Sequence, residues 1–243
     1  MGSVRFGKLA PRRDPRDLRF AKYAALAPPP ASVDNVTRVT QRLRVTPKTL
    51  WPMDGNDTYG DCTIAAAYHA VSTWRGFGGP RTIWSPALCE KVYFHLTGGA
   101  DNGLVVGDVL DYWRSPGIGG DSLYAYASID PKNHTHIKQA VQLFGGVYIG
   151  FVCQQNVITD FNAGRPWTPG TLTNEGHAVF IAGYDTTYVT CLTWGSTQKG
   201  TWAWLDACCD EAFACLPPEA TDPAFAPGFN LAALQADLAL VTN

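Results

Sequence analysis

Cys62 is the residue whose position most suggests chemistry. It follows Tyr59-Gly60-Asp61 and opens the run CTIAAAYHAVSTW over 62–74. There Ile64, Ala67, Tyr68 and Val71 recur at helical spacing, which predicts a helix with Asp61 at its N-cap. The unpaired N–H groups and partial positive charge at a helix N-terminus favour thiolate over thiol, so a cysteine there gains a lowered pKa. The other six cysteines, Cys89, Cys153, Cys191, Cys208, Cys209 and Cys215, fall in predicted strands or within helices. A buried, inert thiol is the default in such places.

A nucleophilic thiolate needs a base. His69 lies two turns up the same helix, roughly 10 Å away by helix rise, and is expected to pack. His95 has no neighbouring signal. His134 and His136 form an H-x-H in a polar stretch, read as a solvated loop ahead of a loose metal pair. His177 differs: it opens an apolar strand directly after Glu175-Gly176, where a side chain reaches a cleft from a rigid frame. The next strand returns through Asp185-Thr186-Thr187. If Tyr184 pairs with Tyr188, Val179 faces Thr193, and Thr193 becomes a diagonal neighbour of His177. A one-residue slip would put Leu192 there instead. Thr193 is therefore the candidate orienter of the imidazole, conditional on register.

The elements that must position these groups follow from pattern. Residues 33–45 alternate loosely and predict one strand. Helices are expected over 84–96, 105–114 and 137–144, and strands over 146–153, 177–184, 188–194 and 200–205. A helix at about 206–216, a Pro-rich linker and a docked terminal helix over 230–241 complete the chain. Helices first and antiparallel strands later give an α+β class.

These residues carry a resemblance. The run Asn56-Asp57-Thr58-Tyr59-Gly60-Asp61-Cys62 resembles the active-site segment of the papain family, in which a Gln six residues before the nucleophile helps form the oxyanion hole. Asn56 stands at that position, and its amide offers the same donor on a shorter stem. Gly176-His177-Ala178-Val179 with Gly183-Tyr184 is similar to the family's histidine strand. Trp194-Gly195 and Gly200-Thr201-Trp202 are similar to the strand bearing the third catalytic residue and its aromatic shield. The similarity spans roughly 50–205. It looks closest to papain-like proteins of tailed phages and actinobacteria, which share N-D-x-x-G-D-C-x-x-A-A, x-T-W-G and a short acidic helix after the last strand, here Asp210-Glu211-Ala212. The resemblance implies a helical half carrying Cys62, an antiparallel β half carrying His177, and cysteine peptidase chemistry on a peptide or protein substrate. Departures from the family are Asn56 for Gln, Thr63 for a large aromatic after the nucleophile, and Leu192 or Thr193 for the triad Asn.

Composition narrows the alternatives. The chain has 243 residues, 46% hydrophobic and 16% charged, enough for one sizeable core. It holds no run of 18 apolar residues, so no membrane span is expected. The N-terminus lacks the apolar region of a secretory signal, and seven cysteines without a CxxC pair suit synthesis in a reducing cytoplasm. Gly117–Gly120 lacks the Lys-Ser/Thr of a P-loop and Asp101-Asn102-Gly103 lacks the carboxylates of an EF-hand, so no cofactor or metal is expected. The net charge of −2 conceals an asymmetry: residues 1–50 carry +8 and the remainder −10. Residues 1–50 therefore read as a basic, Pro/Arg-rich extended arm, 51–216 as the papain-like domain and 217–243 as linker and terminal helix. The arm is expected on an acidic protein surface, with nucleic acid unlikely because it offers only Phe6, Phe20 and Tyr23 for stacking. Two readings remain: a cysteine hydrolase using Cys62, His177, Asn56 and Thr193, or a non-catalytic papain-fold protein such as a virion component, placed in a phage particle beside other virion proteins.

Overall fold

The computed structural model describes residues 4–14, 16–24, 27–78, 83–222 and 224–241. After an irregular stretch and one 3-10 turn at Phe20–Lys22, the chain forms strand β1 (Val33–Asp34) and helix α1 (Asn35–Leu43). The strand expected over 33–45 is thus mostly helix. Its valines and threonines suggested a strand, yet Val36, Val39 and Leu43 lie on one helical face. The Asp34 carboxylate caps the first turn by accepting from the Thr37 N–H at 2.9 Å. Helices α2 (Pro47–Leu50), α3 (Cys62–Gly76), α4 (Pro86–Leu96) and α5 (Val106–Arg114) complete the helical half.

The second half alternates strands and helices: β2 (Ala125–Ile129), α6 (His134–Phe144), β3 (Val147–Gln154), α7 (Val157–Asn162), β4 (Leu172–Tyr184), β5 (Tyr188–Thr193), β6 (Ser196–Thr201), α8 (Trp202–Cys208), β7 (Cys209–Leu216) and α9 (Leu231–Val241). The sheet is antiparallel in the order β2-β7-β3-β4-β5-β6, with β1 added to β4. Two expectations change here. The strand placed at 200–205 ends at Thr201 and becomes α8. The helix placed at 206–216 ends at Cys208 as the last turn of α8, and from Cys209 the segment is strand β7, between β2 and β3. Residues 211–216 are all buried, so the segment lacks the alternation that marks a half-exposed strand.

Because strand side chains alternate, the sheet divides the core in two. Tyr148, Ala178, Phe180, Leu192 and Phe213 face α3 and the helical half. Ile149, Phe151, Val179, Ile181 and Ala214 face α6, α8 and α9. The basic N-terminal stretch belongs to both bodies. Phe20 and Tyr23 are buried in the β-half core, and Val39 in the helical core. Its charges find partners within the same chain: Lys8 with Asp210, Arg12 with Asp108 and Lys22 with Asp237. The acidic surface it lies on is its own. Leu234 of α9 is fully buried beside Tyr23, whose hydroxyl donates to Asp237 at 2.6 Å.

Removing residues 1–45 is therefore expected to leave no cooperative melt or soluble monomer, because Phe20, Tyr23, Val39 and β1 go with them. Phe20→Ala alone should cost about 3–5 kcal/mol in urea unfolding, as for other buried aromatics. A truncated chain that melts like the whole would refute this.

Candidate active site

Helix α3 begins at Cys62, as its periodicity predicts, and Asp61 occupies the N-cap position, but the Asp61 side chain makes no cap hydrogen bond. The Tyr148 hydroxyl donates to the Thr63 carbonyl at 2.6 Å and pins the first turn to β3. On β4, His177 pairs with Phe151 and Ala178 with Gly150. The start of α3 therefore rests on the strand next to His177.

His177 is enclosed by rings. Trp194 stacks on it at 4.5 Å and 25°, and Phe151 meets it edge-on at 5.6 Å. Its Nε2 lies 2.7 Å from Thr193 Oγ1, while Nδ1 is buried with no hydrogen-bond partner among the described residues. The register that makes this contact is Phe180 opposite Leu192 and Ile181 opposite Cys191, as the sequence predicts. Nearer the turn it shifts by one, and Tyr184 meets Val189 in place of Tyr188. A bulge at Ala182 absorbs the difference. Without it, the one-residue slip would turn Leu192 toward His177.

Trp194 and Gly195 form the two-residue turn between β5 and β6, both with positive φ (50° and 69°). Such turns suit the strand twist but disfavour a side chain at the first position. Trp194 is held there by its stack on His177 and by its Nε1–H, which donates to Asn56 Oδ1 at 2.8 Å. Trp194, not Trp202, is the aromatic cover. Trp202 instead donates to the Asp185 carbonyl and lies beside His134.

The N-terminal segment crosses this site, which sequence reasoning missed. Arg5 and Asn56 are doubly tied: the Arg5 N–H donates to the Asn56 carbonyl at 2.9 Å, and Asn56 Nδ2 donates to the Arg5 carbonyl at 3.1 Å. Phe6 lies edge-on to both His177 and Trp194, each at 6.0 Å. The N–H groups of Gly7 and Lys8 donate to the Gly176 carbonyl, and Gly7 and Leu9 exchange hydrogen bonds with Leu104. The fit leaves no room for side chains: a Cβ on Gly7 would come within 1.7 Å of the Gly60 carbonyl oxygen. Asp101 supports this wall by accepting from the Gly60 N–H and the Tyr93 hydroxyl. Nothing in residue spacing announced these contacts; the concentration of glycines at 7, 60, 103 and 176 was the available signal. Over the segment a cleft of about 360 Å³ stays open.

Cys62 and His177 are each about 1% exposed beneath this segment. Burial pushes the Cys62 thiol up to about 12, against the backbone donors from Ala178 and Gly7. Burial, and secondarily His69, pulls His177 down to about 3. The lowered thiol pKa expected from the helix terminus is thus overridden by desolvation. Burial therefore favours a neutral thiol at Cys62 and a neutral imidazole at His177. His69 packs as expected, with ring nitrogens at the carbonyls of Leu192 and Pro52. His134 and His136 lie in the first turn of α6 rather than in a loop. Among the described residues no group of three His, Cys, Asp or Glu side chains could hold a metal ion, and no helix is long and apolar enough to cross a membrane.

The architecture is that of the papain-like cysteine proteases: a cysteine-bearing helix packed against an antiparallel sheet that carries the histidine. The chain is similar to xylellain, a cysteine protease from Xylella fastidiosa, with a TM-score of 0.66, 16% identity, and 89% of this chain and 98% of that one covered. It is also similar to procathepsin B S9 from Trypanosoma congolense, at TM-score 0.61 and 12% identity over 88% and 86% of the two chains. No protein-family model and no curated protein matches the sequence. At these identities the likeness establishes the fold, and nothing in it points to a virion component.

Behind Cys62 lies a buried carboxyl. Asp61 is raised to about 8, first by burial and then by Asp54. Unfolded, it would titrate near 4. Between about pH 4 and 8 the folded chain therefore holds a proton that the unfolded chain has lost, and stability falls as pH rises. Asp61→Asn should melt above the wild type at pH 8, by about 2–4 °C for each kcal/mol relieved, with the gap closing toward pH 4. A constant gap across thermal scans would contradict this.

Proposed function

We propose that the chain is a papain-like cysteine peptidase, held latent by its own N-terminal segment. The observation that carries the reading is the convergence of three contacts on residues 5–8: Asn56 with Arg5, His177 with Phe6, and Gly176 with Gly7 and Lys8. A stretch of extended peptide lies where a substrate would have to lie.

With the segment displaced, water and substrate reach the pair and the desolvation that holds both groups neutral is relieved. The Thr193 contact fixes the imidazole: when Nε2–H donates to Oγ1, Nδ1 is the free base. In the proposed cycle Nδ1 takes the Cys62 thiol proton as sulfur bonds to the amide carbonyl carbon. The Cys62 N–H and Asn56 Nδ2 hold the oxyanion. The imidazolium then gives its proton to the leaving amine as the C–N bond breaks. Water, deprotonated by the same nitrogen, attacks the thioester and releases the acid. Thr193 is a positioning residue in this scheme, and Trp194 shields the His177–Thr193 contact from water.

Iodoacetamide labelling followed by peptide mapping tests the latent arrangement. Cys62 should react slowly in the wild type and at least tenfold faster in Phe6→Ala, which removes the ring over His177 and Trp194, for a thiol limited by access. Equal rates would mean the segment is no gate. In peptide hydrolysis, Cys62→Ser should fall to background and His177→Ala by about 10²–10⁴-fold. Thr193→Ala should lower kcat with KM unchanged, and Thr193→Asn should recover much of the rate. A Cys62→Ser chain that still hydrolyses peptide would end the reading.

A further inference from the structure

Lys8 is a lysine where lysines are seldom found. Its side chain is 1% exposed. It leaves the segment over the cleft and passes across Gly150, where a Cβ would come within 2.0 Å of the lysine Cε. Its Nζ donates to Asp210 Oδ2 at 2.8 Å and to its neighbour's carbonyl, Leu9, at 3.1 Å, and stands 3.3 Å from Glu211 Oε1. Gly150 lies between Ala178 on β4 and Glu211 on β7. Ala178 follows His177 on β4, and the Lys8 N–H donates to the carbonyl of Gly176 just before it, so the recess opens beside the histidine of the site.

Its place along the groove follows from chemistry. His177 must deliver a proton to the leaving amine, so the leaving side lies over His177 and Trp194, where Phe6 sits. The acyl side lies the other way, where residues 7–9 run between Gly176 and Leu104. We propose that the recess filled by Lys8 is the selectivity pocket of the peptidase, and that it selects substrates with a lysine or arginine side chain on the acyl side of the scissile bond. This rests on the peptidase reading above and adds the substrate class.

Two observations favour a pocket over a mere anchor. The glycine at 150 provides a channel sized for a long side chain. Glu211 is 6% exposed at the side chain, and among the described residues its Oε1 has no hydrogen-bond partner beyond the ion pair with Lys8, so its compensation comes from that ammonium. Burial holds Glu211 up at about 7 even against Lys8. Once the segment leaves, an uncompensated buried carboxylate is costly. A basic side chain relieves that cost and a neutral one does not, so basic substrates compete best with the segment itself.

The test uses full-length wild type, Lys8→Met, and Asp210→Asn/Glu211→Gln, each treated with peptidyl chloromethyl ketones. The probes carry Lys, Leu or Glu at either of the two residues nearest the reactive carbon. Alkylation of Cys62 is followed by mass spectrometry, with iodoacetamide as a side-chain-free reference. At one of the positions the Lys probe should react roughly tenfold or more faster than the Leu probe, and faster still than Glu, in wild type and Lys8→Met. In the double variant the Lys-to-Leu ratio should collapse toward one. If iodoacetamide labels Cys62 but the Lys and Leu probes react equally in wild type and Lys8→Met, the pocket assignment is wrong and the peptidase reading survives. If no reagent labels Cys62 even in Lys8→Met, both fall. The wild-type and Lys8→Met ratios decide the matter even if the double variant fails to fold.

Discussion

The backbone of residues 5–9 can lie over Cys62 only because the walls it touches carry no side chains. Gly7 meets Gly60, and Lys8 presses its carbonyl oxygen onto Gly176, where a Cβ would stand 2.3 Å away. This steric constraint governs the electrostatics. Contact that close excludes water from the thiol and the imidazole, and exclusion of water, more than any charged neighbour, sets both protonation states. A helix terminus contributes a fraction of a charge near the surface; complete burial of a thiolate outweighs it.

The site is then a set of supports arranged around one strand. β4 supplies His177 and, through Gly176, contacts to the covering segment. β5 supplies Thr193, and the turn beyond it supplies Trp194 in a backbone conformation that a bulky residue seldom adopts. That local strain is held by an aromatic stack and one hydrogen bond to Asn56, so Asn56, Trp194 and His177 form one connected unit.

Much of this was legible in residue types. The helix at Cys62 and the histidine strand were carried by apolar periodicity; the turn register was not, since Tyr184 meets Val189, and the expected pairing near Thr193 returns only through the bulge at Ala182. What failed did so for identifiable reasons. β7 is buried on both faces, so Ala212, Phe213, Ala214 and Cys215 gave no alternation, and Asp210-Glu211-Ala212 read as a short acidic helix. In the fold those two carboxylates face a lysine more than two hundred positions away, a pairing that local pattern cannot reveal. The N-terminal fifty residues read as an arm because their charge was conspicuous. Their anchors, Phe20, Tyr23 and Val39, are too widely spaced to form a periodic signal.

Those anchors have a further consequence. The stretch over the cleft is followed closely by a fixed post: Arg19 bridges Ser128, Phe20 sits among Phe144 and Phe229, and Tyr23 and Lys22 are both tied to Asp237. A segment that lifts off Cys62 therefore stays on a short leash, at an effective concentration of about a millimolar or more for a linker of this kind. Covering and uncovering become a unimolecular equilibrium, indifferent to dilution. Under the proposed peptidase reading, an incoming peptide contends with a competitor that never diffuses away.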